Sequence, residues 1–99
     1  MDIEFILQGI HFVANETKRA GNPGKHEGVT FEQAAEAFFD PFLKLVDASR
    51  NHEARDAVIG MDKTSRLLFV VHMIVEGERI RLISARKATR EERRLYEND

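Results

Sequence analysis

The residues best suited to chemistry are basic and titratable rather than acidic or thiol. In "NPGKHEG", residues 22–28, Lys25 and His26 stand together on a stretch rich in glycine and interrupted by proline. A histidine titrates near neutral pH and can carry a proton, and a neighbouring lysine can hold a phosphate. The bland alternative is a solvent-exposed loop with incidental charges. A second candidate is "RIRLISARKATREERRLYE", residues 79–97. Arg81 falls within its strand-like part, Arg86 and Lys87 close that part, and Arg90 opens the helix that follows. Arginine offers a planar fork to phosphate, and the N–H groups at a helix start favour an anion. Arg93 and Arg94 read instead as surface partners of Glu97 at helical spacing. His11, His26, His52 and His72 are scattered, with none of the close spacing of a helical metal site, and no thiolate is available because cysteine is absent. No metal or other cofactor is expected. Phosphate-loop, dinucleotide and serine-elbow motifs are missing as well.

Charge is unevenly spread. Residues 79–94 hold seven basic and two acidic residues, whereas the chain as a whole carries −2. If the fold keeps that split, one face attracts a polyanion. The pI near 6.1 argues against broad, unspecific nucleic-acid binding. Ninety-nine residues make one domain, spanning 1–99, able to bury a single core. No apolar run approaches the length of a membrane span. The acidic start "MDIEFILQGIHF" lacks a basic leader region, so a cytoplasmic protein is expected.

Several elements must position these groups. Apolar runs on either side of Gln8-Gly9 predict a hairpin of residues 3–7 and 10–13, with a short amphipathic helix as the competing reading. Asn15 can cap a short helix that Gly21 and Asn22-Pro23-Gly24 would end. Thr30 and Gln33 form a capping box ahead of the stripe Phe31, Ala34, Ala35 and Phe38, and Asp40-Pro41 stops that helix. "FLKLV" reads as a short strand and "DASRNHEARD" as a loop. "RDAVIGMD", "RLLFVVHMIV" and "RIRLISAR" read as three further strands. Thr89 and Glu92 make a second capping box for a C-terminal helix. A two-residue turn at Glu76-Gly77 would set Met73 against Ile80 and His72 against Arg81. It would send Phe69, Val71, Met73, Ile80 and Leu82 to the core and leave His72 and Arg81 on a cleft floor. Tyr96 could stack on a base, though such a tyrosine more often docks its helix.

Taken in order, "KHEGVTFEQAAEAFFDP", "ARDAVIG", "RLLFVVH" and "IRLISARKATREERRLYE" resemble the BrnT toxins over residues 10 to 97. "ISARKATREERRLYE" is the most specific part. The resemblance implies an α+β, RelE-like fold: a small antiparallel sheet packed with N-terminal helices and a C-terminal helix. It implies a ribonuclease that cuts mRNA without metal, using the RNA 2′-hydroxyl as nucleophile. It also implies a BrnA-like ribbon-helix-helix antitoxin that covers the toxin and binds operator DNA. On this scheme His26 moves the proton, with His72 as a second candidate. Lys25, Arg55, Arg81 and Arg86 clamp phosphate, and Lys87 and Arg90 contact RNA. The chain departs from the family pattern at Ala14 and Asn15, usually an aromatic residue and an aspartate, and at Glu27, inserted before Gly28. These changes were expected in the first helix and its loop. A negative charge there would repel phosphate. The alternative is therefore an attenuated member acting as a protein-binding partner of a DNA-binding antitoxin. An unrelated possibility, a small ligand-binding α+β domain, would show an apolar pocket instead of a basic cleft.

Overall fold

The computed structural model describes residues 1–98. Strands β1 (Asp2–Leu7) and β2 (Ile10–Asn15) form the expected hairpin. Gln8 and Gly9 both take positive φ, 49° and 81°. A tight two-residue turn between right-twisted strands needs that conformation. Helix α1 (Glu16–Lys25) follows, then α2 (Phe31–Glu36), which continues into a short 3-10 turn, Ala37–Phe39. Strands β3 (Lys44–Asp47), β4 (Asp56–Met61), β5 (Leu67–Val75) and β6 (Arg79–Lys87) lead to helix α3 (Arg90–Glu97).

The class is α+β, as expected. All six strands join one sheet in the order β1-β2-β6-β5-β4-β3. The sheet is mixed rather than wholly antiparallel. Its one parallel contact is β2 with β6, at Phe12–Ile80 and Val13–Arg81. That contact brings the N-terminal hairpin beside the basic strand, far from it in sequence. One sheet face is covered by α1, α2 and the 3-10 turn. Phe12, Ala14, Val29, Phe31, Ala34, Ala35, Val58, Leu68, Val70 and Leu82 pack there without meaningful exposure. Gly60 lets the turn lie directly on β4, because a Cβ there would meet the Ala37 carbonyl oxygen at 2.6 Å. Helix α3 packs against β4 and is tied to the far end of α2 by the Tyr96 hydroxyl, which donates to Asp40 Oδ2 at 2.6 Å.

Both capping boxes form as read. Thr30 pairs with Gln33 and Thr89 with Glu92, each satisfying two otherwise orphaned N–H groups. Asn15 also caps α1, accepting from the Lys18 N–H at 3.1 Å.

Two expectations fail. Helix α1 does not stop at Gly21 but runs through Asn22-Pro23-Gly24 to Lys25. Pro23 costs the helix one N–H, yet the buried Asn22 side chain fastens this turn to the sheet, and that anchorage outweighs local propensity. The β5–β6 connection uses three residues, Glu76–Glu78, with Gly77 and Glu78 at φ 78° and 60°. Val75 therefore pairs with Arg79, Met73 with Arg81 and His72 with Leu82. One added residue exchanges the faces of β5. Leu68, Val70 and His72 go to the core, while Phe69, Val71 and Met73 go to the opposite face. Leu82 and Ile80 keep their core side, as expected.

Candidate active site

The longer α1 has a chemical consequence. Lys18, Gly21, Asn22 and Lys25 fall at i, i+3, i+4 and i+7 and so share one helical face. That face and His26 form one wall of a cleft of about 490 Å³. Arg50 and Arg55, from the loop between β3 and β4, form the second wall, and Ile83 and Ser84 of β6 form the floor. Four lining residues are cationic and a fifth is the His26 imidazole, and none of the described lining residues is acidic. In a chain of net charge −2, such a lining concentrates positive potential in one place.

Each wall is held by polar bonds. Asn22 Nδ2 donates to the Val29 carbonyl at 2.7 Å and to the Ala85 carbonyl at 2.8 Å, and its Oδ1 accepts the Ala85 N–H at 3.4 Å. One buried amide thus locks α1 to β6 and to the segment that leads into α2. His26 ends the helix, donating its backbone N–H to the Asn22 carbonyl at 2.8 Å, which leaves its half-buried ring at the cleft. The chain then reverses through Glu27 and Gly28, both at positive φ (52° and 82°). In the opposite wall, Arg50 and Glu53 exchange backbone hydrogen bonds at 3.1 and 2.9 Å around a tight turn. Asp47 Oδ1 accepts from the Ser49 N–H at 2.9 Å and hydroxyl at 2.6 Å. These bonds hold the Asp47 carboxyl below its ordinary range.

Within the described residues, the Lys25, His26 and Arg50 side chains make no hydrogen bond or ion pair. Arg55 Nη2 donates to Glu53 at 3.1 Å, but its buried Nε has no acceptor. Arg55 lines the cleft, and a guanidinium there is suited to an anion.

Of the residues expected at the site, Lys25, His26 and Arg55 come together, although the segments that carry them are remote in sequence. The others lie elsewhere. His72 is a core residue, 4% exposed. Its ring meets Phe38 at 4.8 Å, and Nδ1 donates to the Val70 carbonyl at 3.2 Å. Burial pushes its pKa down, against weaker upward pulls from that bond and from Asp56. The expectation of a His72–Arg81 cleft floor is thus corrected by the hairpin register. Arg81 is held by Asp2 at 2.6 and 3.3 Å, and that bond lowers the Asp2 carboxyl. Arg86 makes two 2.8 Å bonds to Glu92 and lies 4.3 Å over the Phe69 ring. Lys87 approaches Glu27 at 3.9 Å, and Arg90 is exposed at the start of α3. Arg81, Lys87 and Arg90 do not line the cleft, and neither does Glu27.

Lys18, Arg50 and Ser84 were not anticipated. The i, i+7 spacing of Lys18 and Lys25 was a usable signal, hidden by ending α1 early. Nothing in the sequence of a polar loop marks Arg50. Ala14 and Asn15, two of the departures, prove to be a buried β2 residue and the α1 cap, and neither lines the cleft.

The fold and cleft define a small α+β protein that presents an imidazole inside an anion-attracting groove. Residues 15–92 match the family described as the ribonuclease toxin, BrnT, of type II toxin-antitoxin systems. The chain belongs to that family, as its sequence resemblance implied. Membership brings with it ribonuclease toxin chemistry and an antitoxin partner as the family's characteristics. No curated protein matches the chain. Among the described residues, no helix is long and apolar enough to cross a membrane.

Proposed function

We propose that this chain is an mRNA-cleaving toxin of the cytoplasm whose active site is the cleft between α1 and the β3–β4 loop. One observation carries the reading: the fold assembles Lys25, His26 and Arg55 with Lys18 and Arg50 into a lining free of acidic residues. An RNA phosphate seats between the walls. The His26 imidazole accepts the proton of the adjacent 2′-hydroxyl. O2′ then bonds to phosphorus and the bond to O5′ breaks, leaving a cyclic phosphate and a 5′-hydroxyl. His26 returns its proton to the departing oxygen, so this route needs no metal. Lys25, Arg50 and Arg55 stabilise the negative charge gathering on the oxygens of the pentacovalent phosphate. A BrnA-like ribbon-helix-helix antitoxin neutralises the toxin, and operator DNA is reached only through that partner.

The attenuated reading is less favoured because Glu27 turns out toward Lys87 and stays outside the cleft lining. Expression in bacteria should arrest growth, and co-expression of the antitoxin should restore it. His26→Ala should lower single-turnover RNA cleavage by roughly 10²- to 10⁴-fold. Intact RNA after incubation with the purified wild-type chain, free of antitoxin, would sink the proposal.

A further inference from the structure

The active-site cleft continues past its second wall. A second cleft, of about 360 Å³, shares Arg50, Arg55 and Ser84 with the first and extends along β5 and β6 to Phe69, Val71 and Arg86. Its character differs. Asp47 contributes a carboxylate, which opposes a phosphate. Arg86 adds little free positive charge, because both its terminal nitrogens are bound by Glu92 at 2.8 Å. The same bonds fix the guanidinium over Phe69, with its centre 4.3 Å from the ring centroid. Its two terminal nitrogens are occupied, yet the side chain remains about one-third exposed and lines the cleft. A planar, partly exposed group whose terminal nitrogens are already bound suits stacking better than clamping.

We propose that this second cleft is a nucleobase subsite, in which a base next to the scissile phosphate stacks on the Arg86 guanidinium that Glu92 and Phe69 hold in place. The inference rests on the RNA-cleaving reading and deepens it. Arg50 and Arg55, at the seam, hold the phosphate that joins the stacked nucleotide to the reacting one. Glu92 and Phe69 are positioning residues that act through Arg86.

The test is binding rather than cleavage, so it stands apart from catalysis. A fluorescent hexanucleotide with 2′-fluoro sugars cannot be cut through a 2′-hydroxyl. An abasic site is moved through its positions, and wild-type affinity is read by anisotropy. One position should lose affinity on the order of tenfold when its base is removed, as stacking predicts. Arg86→Lys keeps the charge but not the plane and should erase that difference. Phe69→Leu should shrink it, with thermal melting confirming that each variant is folded. Equal affinity for every abasic oligonucleotide overturns the base subsite and leaves the phosphate cleft standing. Equal weakening of all of them by Arg86→Lys restores Arg86 as a phosphate clamp and also overturns the proposal. Failure of the wild type to bind any of the oligonucleotides overturns the RNA reading together with it.

Discussion

Two basic regions of this protein are built from opposite principles. The β6–α3 stretch is dense in positive charge along the chain, yet five of its seven basic residues in 79–94 have acidic partners. Arg79 meets Glu4, Arg81 meets Asp2, Arg86 meets Glu92, Lys87 meets Glu27 and Arg93 meets Glu97. Three of those acids come from the N-terminal hairpin or from the turn after α1. The cleft is sparse by contrast: its cations come from α1 and from a loop some twenty-five residues further on. No described acid lines it, and of its four cations only Arg55 has an acidic partner, Glu53 at 3.1 Å, so most of this charge is left to meet an incoming anion. Charge density along a sequence measures opportunity. The potential left after folding depends on which charges the topology places beside one another.

The sharpest way to break this contrast is to remove one charge from each region. Arg55→Ala should lower RNA cleavage by roughly a hundredfold, the usual loss when one donor to a developing charge is removed. If single-turnover rates stay within a few fold, the cleft is not the reacting site. Asn22→Ala comes next. It strips the donor from the Val29 and Ala85 carbonyls and should cost about 1–3 kcal/mol, read as a fall in the denaturant midpoint. Cleavage should fall with it, because the α1 wall loses its anchor. An unchanged midpoint would mean that α1 is held by something else.

A smaller effect concerns the histidine that folding removed from the site. Burial holds the His72 pKa below its ordinary 6.5, so the unfolded chain takes up this proton first. The stability His72 contributes is therefore complete above pH 6.5 and is lost as the pH falls through the folded-state value. Melting temperature should drop between pH 7 and 5, before the carboxylates titrate, and His72→Leu should flatten that slope. A wild-type profile already flat across this range would contradict the burial argument. Smallest of all is Arg81→Ala. Its partner is an exposed acid on β1, two strands away in the sheet, so cleavage should change by no more than about twofold. A loss matching that of Arg55→Ala would return the basic strand to the active site and dissolve the distinction between the two regions.

What was legible in the sequence follows from local chemistry. Capping boxes announce themselves because the residues that satisfy the orphan N–H groups lie three positions apart. Gln8-Gly9 marked a hairpin because apolar runs flank it and Gly at the second turn position accepts left-handed φ freely. His26 and Lys25 could be singled out as candidates because a titratable ring beside an ammonium can move a proton next to a bound phosphate, although an exposed loop with incidental charges reads the same way. The misreadings involve balances between local and distant forces. Pro23 is a helix breaker by local rules, and Asn22 overrules it through bonds to a strand sixty-three residues away. Counting Glu76-Gly77 as the whole turn was off by one residue, and in a sheet one residue exchanges the faces.

The sequence by itself determined the family, the α+β class, the caps and the main strands, because each rests on neighbouring residues or on a chain-long pattern. Only the tertiary structure decided which cations gather in one cleft and which are paired off along the basic strand. The parallel contact of β2 with β6 brings Asp2 and Glu4 to the basic strand, and the helical turn fastened by Asn22 carries Lys25 and His26 to Arg50 and Arg55. Electrostatic interaction falls with distance in space and ignores distance along the chain.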